Sequence, residues 1–233
     1  MSADPSATLR RIEREPLWDL AHAQLRDALL AGRFEPGSGL TLRFLAETFG
    51  TSITPVRDAV TRLIAQGVLE QGPRGSAVVP DVRADALGHL IIVRCELEGR
   101  AAREAAKHAD AETLAQLDAQ LSTMRKLIQN RELDTYLDVH RNFHFGIYGM
   151  ARIPILHEMI ENLWLRSGPV LSFVIPEYVQ MLKGTDHHIA VLQALKDGDG
   201  SKAEAEIVAD IEGAARYLLS LADDAGRIRR AES

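Results

Sequence analysis

The chain has 233 residues, of which 46% are hydrophobic and 26% are charged, a composition typical of globular proteins. Its length allows two domains, and no apolar run approaches the roughly 18 residues that a membrane span needs, so we expect no membrane association. The net charge of −6 lies entirely beyond residue 80, because residues 1–80 carry nine Arg, no Lys and nine acidic residues. Such a neutral, arginine-bearing segment can bind phosphates locally, although a high-GC coding style explains arginine in place of lysine equally well.

The N-terminus and the single cysteine indicate the compartment. Residues 1–16 are polar and lack the apolar core of a secretory signal, so we expect a disordered tail there. Cys95 is the only cysteine, which excludes an intramolecular disulfide and fits a reducing cytoplasm. We therefore expect a cytoplasmic protein.

Residues 17–50 contain signals for two helices. Apolar residues recur at helical spacing over Trp18–Ala31 and stop at Gly32, which predicts the first helix. After a turn, Thr41 is positioned to cap a second helix of about two turns, which ends at Gly50.

The next segment predicts a third helix and a hairpin. Ser52 or Thr54 can cap the helix, whose apolar stripe runs to Gly67. The strand-like runs 68–71 and 77–79 flank a Gly/Pro-rich turn and indicate a hairpin. This order of three helices and a hairpin predicts a winged helix-turn-helix over residues 17–80, with the third helix in a DNA major groove.

Polar and basic residues on the predicted reading face are the candidates for contact with DNA. They are Arg43, Ser52, Thr54, Arg57, Arg74 and Gly75. Hydroxyls and a guanidinium at the start of the third helix can meet phosphates and base edges. An arginine at the hairpin tip can enter the minor groove or bind a phosphate. Each residue alone is equally consistent with a solvated surface, but their coincidence on one face favours a DNA interface.

Three short runs carry a family resemblance. Residues 32–37 (GRFEPG), 45–47 (LAE) and 54–59 (TPVRDA) resemble the GntR family of bacterial regulators. The resemblance implies dimers that bind short palindromes, with Arg43, Arg57 and Gly75 at positions that contact the operator. The chain departs from the family at Ile53, where the family commonly has arginine.

The rest of the chain predicts an all-α bundle. Residues 81–83 form the linker, residues 84–222 the helical domain and residues 223–233 a C-terminal tail. Helical stretches are expected at 84–108, 110–129, 133–150, 153–166, 170–183, 186–197 and 201–222. We expect Gly168-Pro169 to interrupt the helical pattern. The fold class is therefore mainly α, a winged helix-turn-helix followed by a helical effector domain.

Histidines in the bundle predict a metal site. His140 and His144 are four residues apart on one predicted helix, so both imidazoles can face the same point. His188, near a helix start, and Asp210, on the last long helix, are two further candidates. Three imidazoles and one carboxylate suit Zn, the first choice, or Ni and similar divalent ions. His187 competes with His188 for the inward position.

The helical domain also resembles the FadR-type subgroup of this family over residues 84–221. The match is clearest at residues 92–102 (IVRCELEGRAA). The resemblance implies a bundle that holds a metal with one Asp and three His. In the subgroup the carboxylate usually stands at the place of His140 and a histidine at the place of Asp210. The exchange found here preserves the number and charge of the ligands.

The metal would leave positions open for a small organic acid, which is the expected effector. Arg94 can pair with the carboxylate of such an acid, or equally with Glu98 four residues on. We predict a ligand-responsive DNA-binding regulator, with repression relieved by the ligand as the default. The alternatives are a regulator whose effector is the metal ion itself, a metal-free module that only dimerises, and a metal-dependent hydrolase. The hydrolase lacks support, because the His140–His144 run has no glutamate next to a histidine to act as a general base.

Overall fold

The computed structural model describes residues 17–174 and 185–228. In this part of the chain the N-terminal elements are α1 (Leu17–Leu30), β1 (Gly39–Leu40), α2 (Leu42–Phe49), α3 (Ile53–Ala65), β2 (Glu70–Gln71) and β3 (Ala77–Val78). The later elements are α4 (Ala84–Ala105), α5 (Ala111–Asn130), α6 (Leu133–Met150), α7 (Pro154–Val174), α8 (Thr185–Lys196) and α9 (Gly200–Ser220). The predicted tail 1–16, residues 175–183 of a predicted helix, and residues 229–233 lie outside the described residues.

The predicted winged helix-turn-helix is confirmed. The hydroxyl of Thr41 accepts a hydrogen bond from the Phe44 amide and caps α2, and Gly50 ends α2 in the left-handed conformation with φ 63°. Ser52 stands at the N-cap position of α3, but its side chain makes no capping hydrogen bond and is exposed. The buried stripe Val56, Ala59, Val60 and Leu63 packs α3 against α1 and α2.

The wing is a three-stranded sheet and not the predicted hairpin alone. Strand β3 lies in the middle and pairs antiparallel with both neighbours, so the order is β1-β3-β2. Leu40 and Gln71 both face Ala77 across the sheet. The sequence pattern did not indicate β1 because two residues are too few to show an alternation of apolar and polar side chains.

The helical domain packs α4 mainly against α9, and α5 mainly against α6. The expected interruption at Gly168-Pro169 was wrong, since α7 continues through both residues to Val174. The hydroxyl of Ser167 donates to the carbonyls of Leu163 and Trp164 in the turn before the proline. Among the described residues, no helix is both long and apolar enough to cross a membrane.

Helix α7 also packs against the DNA-binding domain. Arg166 donates a hydrogen bond to the carbonyl of Gln66 (2.7 Å), and Arg26 on α1 pairs with Glu161 (3.1 Å). Gly168 approaches α1 so closely that a Cβ at this position would overlap the carbonyl oxygen of Leu29. The two domains therefore share one packed boundary, at which only glycine fits position 168.

We predict that Gly168→Ala destabilises this boundary by about 1–3 kcal/mol, because the added methyl group must push α7 and α1 apart. The measurement is the free energy of unfolding in urea. Gly149→Ala is the matched control, since its Cβ would meet no atom within 4 Å, and the better helix propensity of alanine should stabilise it slightly. Equal stability of the two variants would contradict the close approach.

The segment after α9 lies against the linker, although residues 223–233 were expected to form a tail. The amide of Ala84 donates to the carbonyl of Gly226, and the amide of Ile228 donates to that of Val82. Ile228 is buried in a small apolar cluster with Leu87, Val170 and Leu218. Backbone pairing and burial thus hold residues 223–228 beside the linker that joins the two domains.

Candidate metal centre and DNA-contacting surface

Four predicted ligands converge in the centre of the bundle. Helix α6 supplies His140 and His144, α8 supplies His188 and α9 supplies Asp210. The Nε2 atom of His144 lies 3.2 Å from Nε2 of His140 and 3.2 Å from Nε2 of His188. Oδ2 of Asp210 lies 3.6 Å from Nε2 of His144 and 3.5 Å from Nε2 of His188. One ligand atom from each residue therefore lies within 4.8 Å of every other.

The surroundings of His140, His144 and Asp210 favour the protonation states that bind metals. It lowers the pKa values of His140 and His144 well below the usual histidine range, and the charges of neighbouring residues lower them further. Burial by itself would raise the pKa of Asp210, but the nearby His188 and His140 outweigh it and the net pKa is lowered. At neutral pH His140 and His144 are therefore neutral imidazoles and Asp210 is a carboxylate, which are the forms that bind metals.

The donor set fits a divalent ion. With metal–ligand distances of about 2.1 Å, two ligands are about 3.0 Å apart at a right angle and about 3.4 Å apart at the tetrahedral angle. The separations of 3.2–3.6 Å around His144 are close to these values. His187 contacts Glu206 at 2.8 Å and does not belong to the four converging residues, so His188 is the inward residue of the pair.

A buried chain of hydrogen bonds begins at Nδ1 of His144, the ring nitrogen that does not face the cluster. Its Nδ1 atom lies 3.0 Å from the hydroxyl of Tyr148, and that hydroxyl donates to Oε2 of Glu98 at 2.5 Å. The indole of Trp164 donates to the same carboxylate oxygen at 2.9 Å. Burial and the charge of Glu98 raise the pKa of Tyr148 well above its ordinary value, so its hydroxyl stays protonated.

Arg94 completes this chain. Its Nε donates to Glu98 at 2.5 Å and its guanidinium carbon lies 5.0 Å from the centre of the Trp164 ring. Glu98 is fully buried and Arg94 is only 12% exposed, so this is an internal ion pair. Of the two partners expected for Arg94, Glu98 is the one that it contacts in the structure. Contact between Arg94 and an effector stays a prediction.

The candidate DNA contacts lie on the surface of the first domain. Arg57 on α3 and both Arg74 and Gly75 in the wing line one groove of about 240 Å³. Arg74 and Gly75 have positive φ angles of 55° and 80°, which turn the tip of the wing sharply. The structure therefore brings the third helix and the wing to the same groove.

The remaining candidates are exposed at the surface of the same domain. Ser52 and Thr54 are exposed at the start of α3, and Ile53 between them is 42% exposed. Arg43 is 84% exposed and its Nε donates to Glu47 at 2.8 Å. Any contact of Arg43 with DNA through this nitrogen would require the bond to Glu47 to open.

Sequence reasoning missed Tyr148 and Trp164, and named Glu98 only as the alternative partner of Arg94. Trp164 and Tyr148 are separated from Glu98 by 66 and 50 residues, so no local pattern connects them. One signal was present for Tyr148, because it follows His144 by four residues and so lies on the same helix face.

Comparison with known proteins agrees with this architecture. Residues 19–79 match the family "Bacterial regulatory proteins, gntR family", and residues 89–213 match the FCD domain. The chain is 33% identical over 177 residues to the HTH-type transcriptional regulator McbR of Escherichia coli K12, covering 75% of this chain and 80% of McbR. It is 24% identical over 221 residues to the transcriptional repressor RspR of the same organism, covering 94% and 93% of the two chains.

A solved structure gives the same result. The chain is similar to E. coli McbR/YncC with a TM-score of 0.80 and 30% identity, covering 85% of this chain and 95% of that one. The fold and the two domain matches define a DNA-binding transcriptional regulator with a helical FCD domain. The chain belongs to the GntR family of bacterial regulatory proteins and carries an FCD domain. The expectation that it is a regulator and not an enzyme is confirmed by these relatives.

Proposed function

We propose that the chain is a ligand-responsive repressor whose helical domain holds a divalent metal ion and a small organic acid. The observation that carries the proposal is the convergence of three imidazoles and one carboxylate in the domain behind the DNA-binding domain. The assigned metal ligands are His140, His144, His188 and Asp210. The assigned DNA contacts are Arg43, Ser52, Thr54, Arg57, Arg74 and Gly75.

Zinc is the first choice for the ion and nickel the second, because imidazole nitrogen suits both. Bound there, the ion would supply coordination positions that protein ligands do not fill and would attract a carboxylate or hydroxy acid. No other group of His, Cys, Asp and Glu in the described part of the chain brings three or more donors together in this way. The lowered pKa values of His140 and His144 mean that protons do not compete for them at neutral pH.

Arg94 is the residue assigned to the carboxylate of the effector. It lies near the cluster, since its guanidinium stands over the ring of Trp164, whose centre is 5.4 Å from that of the His144 ring. Two of the five N–H donors of its guanidinium go to Glu98. The other three are the donors that we assign to an acid, and burial strengthens such a charge-assisted hydrogen bond.

Two copies of the chain would bind the two halves of a palindromic operator, since a two-fold dimer matches two-fold DNA symmetry. Ile92 and Val93 on α4 are 63% and 44% exposed, and this apolar surface supports pairing of two chains. The double-stranded operator, the acid and the second copy are thus the proposed partners.

The test uses full-length, metal-loaded protein and an operator selected from a random DNA library. We expect an inverted repeat, and we expect small hydroxy acids and dicarboxylic acids to change operator affinity by about 5- to 150-fold, which corresponds to typical couplings of 1–3 kcal/mol. Fluorescence anisotropy of labelled DNA measures the change. The amides of the same acids are the controls, and an equal response to them would contradict the role of the carboxylate.

A regulator whose effector is the metal itself is the second candidate, favoured by the same four ligands. In that case the free metal concentration alone would change operator affinity, and organic acids would add nothing. Operator titrations across a buffered series of zinc concentrations, with and without acid, separate the two functions.

A further inference from the structure

We infer that Glu98 and Tyr148 are positioning residues that fix the tautomer of His144, so that its Nε2 atom faces the cluster as an unprotonated ligand. The inference rests on the proposed function, since it gives these residues a purpose in metal binding. Neither residue belongs to the four predicted ligands. Tyr148 contacts His144 directly, and Glu98 acts through Tyr148.

The direction of the hydrogen bonds follows from the proton count. Glu98 accepts hydrogen bonds from Arg94, Tyr148 and Trp164, so both of its side-chain oxygens act as acceptors. Tyr148 has a single hydroxyl proton, and that proton lies in the 2.5 Å bond to Glu98. The 3.0 Å contact between Tyr148 and Nδ1 of His144 therefore needs its proton from the imidazole.

A neutral imidazole carries one N–H, so a proton on Nδ1 leaves the lone pair on Nε2. Nε2 of His144 is the atom that lies 3.2 Å from the facing nitrogens of both His140 and His188. The Nε2 lone pair of His144 therefore faces the cluster even without a bound metal. Partners behind a metal-binding histidine orient the ring and raise its basicity in the same way elsewhere.

Arg94 and Trp164 fix Glu98, which is the end of the hydrogen-bond chain farthest from His144. Arg94 compensates the charge of Glu98, which is otherwise fully buried, and the indole N–H of Trp164 fixes the same oxygen that Tyr148 uses. His140 provides a contrast within the same site. Its buried Nδ1 atom has no hydrogen-bond partner among the described residues, so no comparable chain fixes its tautomer.

The test is the tautomer of His144 in chelator-treated, ¹⁵N-labelled protein, read from two-bond ¹H–¹⁵N correlations of the imidazole rings. We expect the Nδ1–H form for His144 in the wild type. Tyr148→Phe removes the acceptor and should increase the Nε2–H form. It should also weaken zinc binding about 10- to 100-fold, the usual effect of losing such a partner.

Two further variants keep the test specific. In Glu98→Leu no acceptor remains for the hydroxyl proton of Tyr148, which can then turn to Nδ1 of His144, so the Nε2–H form should again increase. Tyr217→Phe makes the same chemical change on α9, where Tyr217 packs against the separate apolar cluster of Leu87 and Leu218, and should leave the tautomer and zinc affinity unchanged. Far-ultraviolet circular dichroism of each variant checks that it is folded.

The failures of the two ideas are distinguishable. A wild-type His144 in the Nε2–H form would overturn the positioning role, as would a Tyr148→Phe variant that keeps both the tautomer and the wild-type zinc affinity. Absence of zinc binding to the wild type would instead overturn the proposed metal function. The tautomer of His144 measured without metal would still test the hydrogen bonds that link Glu98, Tyr148 and His144.

Discussion

Chelator-treated protein is expected to take up one zinc ion per chain and to melt about 5–10 °C higher when the ion is present at 100 times its dissociation constant. Binding to the folded state alone contributes about 2.7 kcal/mol under that condition. For chains of this size each kcal/mol raises the melting temperature by about 2–4 °C. Plasma emission spectrometry gives the stoichiometry and differential scanning fluorimetry gives the shift.

The site-directed form of this prediction uses Asp210→Asn and His144→Ala, which each remove one ligand. Both variants should lose the zinc-dependent rise in melting temperature, because the other ligands cannot replace a donor on the facing helix. His187→Ala is the matched control, since His187 neighbours His188 but contacts Glu206 outside the cluster. A loss in His187→Ala equal to that in Asp210→Asn would show that the four assigned ligands are the wrong set.

The parts of the site that the sequence predicted depend on short-range spacing or on resemblance. His140 and His144 were predicted from their separation of four residues, which alone puts them on one helix face. His188 and Asp210 come from two other helices, and only the family resemblance placed them with the first pair. The structure brings all four together, as expected from that resemblance.

The parts that were missed depend on tertiary packing. Glu98, Tyr148 and Trp164 are on three different helices, so their hydrogen bonds have no signature in local sequence. The break predicted at Gly168-Pro169 was wrong for a related reason. Packing of α7 against α1 outweighs the low helix propensity of both residues, and local propensity is a weak guide when tertiary contacts oppose it.

Helix α7 connects the two halves of the molecule. Trp164 donates to Glu98 beside the candidate metal centre, and Gly168 one turn later contacts the backbone of Leu29 in α1. An acid bound to the remaining donors of Arg94 would change the surroundings of the Trp164 ring, over which the guanidinium lies, and hence the position of α7 against the DNA-binding domain. Such continuity is a geometric condition for coupling, and measurement of operator affinity with and without effector is what establishes it.

Arg57→Ala is expected to weaken operator binding by about 1–3 kcal/mol, which is the loss for a good arginine contact with a base or phosphate. Arg57 is exposed on α3 and shares its groove with Arg74 and Gly75 of the wing. If the contact is with a phosphate, the slope of log affinity against log salt concentration should fall by about 0.9 per chain bound. If it is with a guanine, the affinity should fall for the selected operator and the slope should change less.

Arg62→Ala is the control that makes this result specific. It removes the same charge from the same helix, but Arg62 lies in the last turn of α3 with its guanidinium 5.9 Å from the ring of Trp18 on α1. We expect the affinity of Arg62→Ala to stay close to that of the wild type across the salt series. Equal losses in the two variants would mean that general positive charge, and not the groove between α3 and the wing, holds the DNA.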